Sequence, residues 1–374
     1  MKYRKFRNSQ DDISLLGMGC MRLPVLRDGR GIDYVQAGEI IDYAYENGIN
    51  YFDTAYYYHG GESERFIGQA LKKYPRNTFY LADKMPGYAL KKEGEMERIF
   101  DEQLERCQVD FFDFYLCHDV RESSFDKYVN FNVIPFLKKK QKEGFIKRLG
   151  FSSHGKPDTL KKTLDLNDWD FVQIQLNYFD WSYQDAKRQY EMITERGMPV
   201  TVMEPVRGGR LANLCPEAND VLKSAKPDKS IASWAIRFAA SLPGVLTVLS
   251  GMSTMEQIID NIDTMDHFEP ITPDEQLILD QAVEILKAQT LVPCTACRYC
   301  VSECPAGLDI PRLIAMYNDY SVSKKSFGLA DIFELPDDKK PDKCLACGLC
   351  TGNCPQNIDI PDVMKKLADE VAKL

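Results

Sequence analysis

Residues 112–174 hold three short apolar runs in succession: Phe112-Asp113-Phe114-Tyr115-Leu116, Ile146-Lys147-Arg148-Leu149-Gly150 and Phe171-Val172-Gln173-Ile174. Each run is the length of a strand and too short for a helix, and the stretches between them are amphipathic. A strand, a crossover helix and a second strand form the repeating unit of a parallel sheet. The same alternation extends in both directions. Leu15-Leu16-Gly17-Met18, Ile49-Asn50-Tyr51-Phe52 and Thr78-Phe79-Tyr80-Leu81 come before; Pro199-Val200-Thr201-Val202-Met203 and Val245-Leu246-Thr247-Val248-Leu249 come after. Eight such units in about 250 residues predict an α/β fold closed into a (β/α)8 TIM barrel, over the alternative of an open doubly wound sheet. Asp33 with Gln36 reads as a capping box and Asn47-Gly48 as a helix stop. An eighth helix fits at 254–263. Thr272-Pro273-Asp274-Glu275 opens one more, reaching about Ala288. The domain boundary is placed just beyond it, with a barrel over 1–290 and a second domain over 291–374.

The chain has 374 residues, 44% hydrophobic and 28% charged, with a formal net charge of −9. An acidic balance argues against nucleic acid as a partner. The Lys runs at 138–140, 324–325 and 339–340 read as solvated faces. Met1 to Gln10 is basic and polar with no apolar segment behind it, so it does not resemble a secretion signal. No apolar run approaches the ~18 residues of a membrane helix. The expectation is a cytoplasmic protein without a membrane partner. Of its twelve cysteines, Cys20, Cys107, Cys117 and Cys215 are scattered and assigned to packing; the other eight fall after residue 290. Structural disulfides are not expected in that compartment.

Those eight form a repeat. Cys294-x-x-Cys297-x-x-Cys300-x-x-x-Cys304-Pro305 matches Cys344-x-x-Cys347-x-x-Cys350-x-x-x-Cys354-Pro355, and each copy continues to Asp-Ile-Pro. This is the ligand run of bacterial ferredoxins, for [4Fe–4S] clusters. Three closely spaced thiolates wrap one cluster while the fourth, held away by the turn and Pro, reaches the other. Crossed ligation follows: Cys294, Cys297, Cys300 and Cys354 on one cluster, and Cys344, Cys347, Cys350 and Cys304 on the second. Structural zinc also uses C-x2-C pairs but has no need of the third close cysteine. The 39 residues between the runs exceed a compact ferredoxin loop. The segment resembles the helical ferredoxin type, with helices expected at Arg312–Tyr320 and Asp362–Lys373.

Barrel enzymes place their chemistry at the carboxyl ends of the strands. Asp53 ends the second run, Tyr58 follows in the next loop, Lys84 ends the third strand and His118 the fourth. Asn50-Tyr51-Phe52-Asp53-Thr54-Ala55-x-x-Tyr58 followed by Gly61-Glu62-Ser63-Glu64 resembles the signature of the aldo-keto reductases, over about residues 12–265. The resemblance implies a catalytic tetrad of Asp53, Tyr58, Lys84 and His118. Reducing a carbonyl by hydride leaves charge on oxygen that needs a proton. Tyr58 would donate it, Lys84 would lower the tyrosine pKa, Asp53 would hold Lys84, and a neutral His118 would polarise the carbonyl.

The same resemblance implies an NAD(P)H lying across the barrel mouth. Ser152, Ser153 and Gln173 would hold the carboxamide, Gly208 and Gly209 the pyrophosphate, and Gly251, Gln257 and Asn261 the adenosine end. Met203, followed by Glu204, stands where the family carries an aromatic residue. No basic residue falls among 249–261 to grip a 2′-phosphate, so a preference for NADPH is not expected. Substrate-facing residues are sought in the loops after the strands: Cys20, Met21, Arg22, Tyr56, Tyr57 and His154. A hydride carries two electrons and a cluster one. The chain therefore reads as an oxidoreductase coupling reversible carbonyl or alcohol chemistry to one-electron transfer, with ferredoxin or another carrier as partner and a flavin as a further candidate cofactor. Two other roles remain open for the clusters: a second reductive step on the substrate, and a structural or oxygen-sensing part. The alternative of another class is a non-catalytic redox sensor, whose barrel binds a dinucleotide and a partner protein.

Overall fold

The computed structural model describes residues 1–26, 31–92, 94–289, 291–323 and 329–373. Thr290 at the expected domain boundary and the Lys324-Lys325 run lie outside them. The eight barrel strands are β1 (Leu16–Gly19), β2 (Tyr51–Asp53), β3 (Tyr80–Met85), β4 (Phe112–Val120), β5 (Ile146–Ser153), β6 (Phe171–Gln175), β7 (Val200–Met203) and β8 (Val245–Ser250). They are parallel neighbours in chain order, and β8 pairs with β1 to close the ring. The expected (β/α)8 barrel is present. β3 and β4 run further than their apolar runs: Lys84 and His118 lie inside strands, one and two residues before their ends.

The barrel interior is filled by side chains of alternate strands, Tyr51 and Phe171 among them, with Phe114 at their centre. Its amino-terminal end is closed by an antiparallel pair, Tyr3–Lys5 with Asp12–Ser14. From it Phe6 meets Phe114 edge-on at 5.6 Å, and the Arg148 guanidinium lies 4.6 Å from the Phe6 ring. The sequence did not announce this floor. With the bottom sealed, only the carboxyl end is left for a site.

Helix signals hold where they were read, except that the Asp33 N–H donates to the Pro24 carbonyl at 2.9 Å and not to Gln36, which leaves Asp33 an N-cap without the second half of a capping box. Asp33 caps Tyr34–Glu46 by accepting from the Val35 and Gln36 amides. Thr272 and Glu275 form the full capping box of Pro273–Ala288. The helix sought at 254–263 spans Met255–Asp266. Cys20, Cys107 and Cys117 are buried in the layer between strands and helices. The second domain has its own apolar core, built on the helices Ile310–Ser323 and Ile360–Val371. Each begins two residues before the expected start, because Pro311 and Pro361 are tolerated in a first helical turn. Among the described residues no helix is long and apolar enough to cross a membrane.

Candidate functional site

Asp53, Tyr58, Lys84 and His118 meet at the carboxyl end of the barrel. The Lys84 Nζ donates to Asp53 Oδ1 at 2.6 Å and to the Thr54 carbonyl at 2.6 Å, and lies 3.4 Å from the Tyr58 hydroxyl. The His118 ring stands edge-on to Tyr58, with centroids 5.8 Å apart. Lys84 and Asp53 are buried, so removing one would strand the other without water. Burial lifts the Asp53 carboxyl above the ordinary range, with Lys84 opposing. Burial and the nearby Lys84 ammonium push His118 down to about 3, so the imidazole is neutral, as expected.

Tyr58 departs from the expectation. Its hydroxyl is held well above the ordinary tyrosine pKa, first by burial and then by the phenol of Tyr299 and the carboxylate of Asp53. At 3.4 Å Lys84 does not outweigh the loss of water. The phenol therefore stays protonated at neutral pH, as a proton donor to a carbonyl requires.

One pocket opens from the tetrad along the barrel mouth. It is lined by Asp53, Tyr58 and His118 at one end and by Gln257, Asp260 and Asn261 at the other, with Ser152, Gln173, Met203, Gly208, Gly209 and Gly251 between. Met21, Arg22 and His154 line it too. The shape and chemistry fit an extended dinucleotide. The Asn261 Oδ1 is buried without a partner, and an added Cβ at Gly209 would meet nothing within 4 Å.

Ser153 and Tyr56 are placed otherwise. The Ser153 hydroxyl donates to the Val120 carbonyl at 2.9 Å and lines a neighbouring cavity instead. Tyr56 donates to Glu102 Oε2 at 2.6 Å beneath the Arg106 guanidinium, on the helix side of the barrel. It is a packing residue, and the exposed Tyr57 meets it edge-on. Arg22 lines the pocket, and its Nη2 donates to the Thr295 carbonyl of the second domain at 2.7 Å.

Sequence reasoning missed Tyr299 and the role of Glu204. Tyr299 stands between Cys297 and Cys300, and lines the same pocket as Tyr58 and His118. Glu204 directly follows β7, the same position after a strand that drew attention to the tetrad. Burial lifts its carboxyl to about 7, and its Oε2 has no partner.

The eight C-terminal cysteines form two rings. Cys294, Cys297, Cys300 and Cys354 line one cavity; Cys304, Cys344, Cys347 and Cys350 line another. These are the crossed sets. Among the described residues no three His, Cys, Asp or Glu side chains converge tightly enough to hold one metal ion. A cuboidal cluster presents each thiolate with its own iron corner, so wide four-sulfur rings fit it and fit mononuclear zinc poorly.

The chain matches the model of the aldo/keto reductase family over residues 15–284 and that of a 4Fe-4S dicluster domain over 293–358. It belongs to the aldo/keto reductase family and carries a ferredoxin-type domain at its C-terminal side; it is an oxidoreductase. It is 28% identical over 304 residues to a protein named L-galactose dehydrogenase from Arabidopsis thaliana, covering 74% of this chain and 92% of that one. It is 22% identical over 267 residues to the NADH-specific methylglyoxal reductase of Escherichia coli, covering 60% and 80%. Among solved structures, aldo-keto reductase AKR11C1 from Bacillus halodurans in its holo form superposes with a TM-score of 0.63 at 27% identity, covering 75% and 96%.

Proposed function

We propose that the barrel interconverts a small carbonyl compound and its alcohol, and that the second domain links this chemistry to one-electron transfer. The carrying observation is a pocket lined both by three of the four tetrad residues, Asp53, Tyr58 and His118, and by a residue of the cysteine loop, Tyr299. A nicotinamide lying along the pocket would supply the hydride. Two [4Fe–4S] clusters, one in each four-cysteine cavity, would exchange single electrons with a carrier such as ferredoxin. Tyr58 holds its proton at the hydroxyl and delivers it to the substrate oxygen. Lys84, fixed by Asp53 and the Thr54 carbonyl, sets the position of that hydroxyl. The neutral His118 donates a hydrogen bond to the same oxygen and raises its partial positive neighbour toward attack. The relatives named dehydrogenase and reductase support the reaction class. Exposure of Cys347 supports an outer cavity reachable by a carrier protein. Cytoplasmic residence belongs to the same reading, since free thiolates persist where the medium is reducing.

Asp260 lines the end assigned to the adenosine and accepts from the Ser230 hydroxyl at 2.6 Å. A carboxylate there suits a ribose hydroxyl and repels a phosphate. NADH is therefore expected to bind more tightly than NADPH. The deciding experiment is an anaerobic titration of the holoprotein with NADH and then NADPH, following cluster absorbance. Bleaching at a lower NADH concentration is expected; bleaching by dithionite alone would unlink the nicotinamide from the clusters. Tyr58→Phe should lower carbonyl turnover by about 10²-fold or more while NADH binding, followed by its fluorescence, is retained. Undiminished turnover would remove Tyr58 from the reaction.

A further inference from the structure

The face of the second domain that meets the barrel is built from the ligand loops of one cysteine ring. Barrel arginines grip the chain on either side of Cys294. Arg210 Nη1 donates to the Val292 carbonyl at 2.7 Å, Arg207 Nη1 to the Pro293 carbonyl at 3.3 Å and Arg22 Nη2 to the Thr295 carbonyl at 2.7 Å. Gln356, two residues past Cys354, accepts from Arg207 Nη2 at 3.0 Å. Arg210 lies close enough to Cys294, and the buried Arg121 to Cys297 and Cys354, for charge to be felt between them. This inner ring roofs the pocket, which its Tyr299 lines. The ring of Cys304, Cys344, Cys347 and Cys350 shows the opposite: Cys347, Leu345 and Leu349 are exposed. Among the described residues no lysine, arginine, aspartate or glutamate lines its cavity.

These charges are not equally free. Arg207 is paired with Asp180, Arg121 with Asp119, and the exposed Arg298 of the inner ring with Asp309. Lys339, which donates to the Ala306 carbonyl beside the outer ring, is paired with Asp338. Among the described residues Arg22 and Arg210 form no ion pair, and the carboxyl groups that face them from further off are Glu204 and Asp319. Accepting an electron adds one negative charge to a cluster. Burial resists that charge and a cation beside it favours it, the more so where water is excluded. We propose that Arg210 and Arg22 hold the inner cluster at the higher potential, so that an electron entering at the exposed outer ring comes to rest beside the substrate pocket. This rests on the electron-transfer reading and gives it a direction. One electron leaves the reduced outer cluster and reduces the inner one; no bond forms or breaks and no proton moves. A reduced carrier of the ferredoxin class replaces that electron. Arg22 also lines the pocket, so Arg210 is the positioning residue to test.

The test is an anaerobic potentiometric titration of the cluster-loaded protein, followed by electron paramagnetic resonance without substrate or nicotinamide. The inner component is the one lost in Cys297→Ala or, should that variant not fold, the one less relaxed by a soluble dysprosium chelate. It should appear at the higher potential. Arg210→Gln should lower the ratio of reduced to oxidised inner cluster about tenfold at a given potential, which is about 59 mV for one electron. The outer component should stay in place, and Arg210→Lys should keep the inner midpoint. A merely loosened interface acts in the opposite sense, because water reaching the inner cluster favours its more charged, reduced form. If the outer component is reduced first, or if Arg210→Gln leaves the inner midpoint unchanged or raises it, the inference falls. The oxidoreductase reading is decided separately, by whether NADH bleaches the clusters of the unaltered protein. A protein holding no cluster would bring down both.

Discussion

Burial without full hydrogen bonding is what distinguishes the residues of this site. Tyr58, His118 and Glu204 each sit where water is excluded, and each shifts toward its neutral form. For Glu204 this has a measurable sign. Its folded carboxyl titrates at about 7, above the ordinary 4.5, so the folded state binds the proton more tightly than the unfolded chain. The stability tied to that proton is complete below the ordinary value and is lost as pH rises through about 7. Glu204→Gln should therefore flatten the fall in Tm of the holoprotein between about pH 5 and pH 8. An unchanged fall would show that the carboxyl does not carry it. The grouping of Asp53, Tyr58, Lys84 and His118 was legible because the Asn50–Tyr58 stretch resembles a family signature and the other two residues lie near the ends of strands. Tyr56 was misread because three consecutive tyrosines follow Ala55, and only the folded turn decides that Tyr58 enters the site. Tyr299 carried no local signal, since its meaning depends on a domain docking across the barrel mouth.

The turn after β7 shows how one element serves two domains. Arg207, Gly208 and Gly209 all take positive φ, of 50°, 66° and 92°. Arg207 is thereby turned to pair with Asp180 at 3.0 Å and to reach Gln356. Gly208 admits the Thr295 carbonyl at a distance no side chain allows. Gly208 and Gly209 share the backbone demand, but only Gly208 has a neighbour to strike. Gly208→Ala should cost about 1–3 kcal/mol more than Gly209→Ala in chemical denaturation. It should also speed hydrogen exchange over 293–300, and equal effects of the two substitutions would deny the turn its docking role. The strands, their order and the capped helices could be read from periodicity because each is a local pattern. The hairpin floor could not, since Tyr3–Lys5 is too short to carry an alternation of its own.

At the scale of the whole molecule, the two cysteine runs are exchanged between the two rings. Cys354 and Cys297 should therefore fail together: replacing either with Ala should remove the same component of the reduced cluster spectrum and about half of the iron. Cys304→Ala and Cys347→Ala should remove the other component. A spectrum in which Cys304 instead groups with Cys297 would show that each run fills its own ring. The repeat itself declared which cysteines act, and the fold shows which of the two rings faces the barrel.

The roof over the pocket also orders the making of the protein. The barrel strands and their floor lie wholly ahead of the cysteine runs, so the tetrad can assemble as soon as that length of chain has left the ribosome. With the ligation proposed above, the wall that carries Tyr299 would not settle until Cys354 has been synthesised and joined, through iron and sulfide, to a loop more than fifty residues upstream. A cell short of iron would thus accumulate barrels with their four reacting residues in place and their substrate cavity unfinished, and biogenesis of the cofactor, rather than translation, would set how much working enzyme it holds.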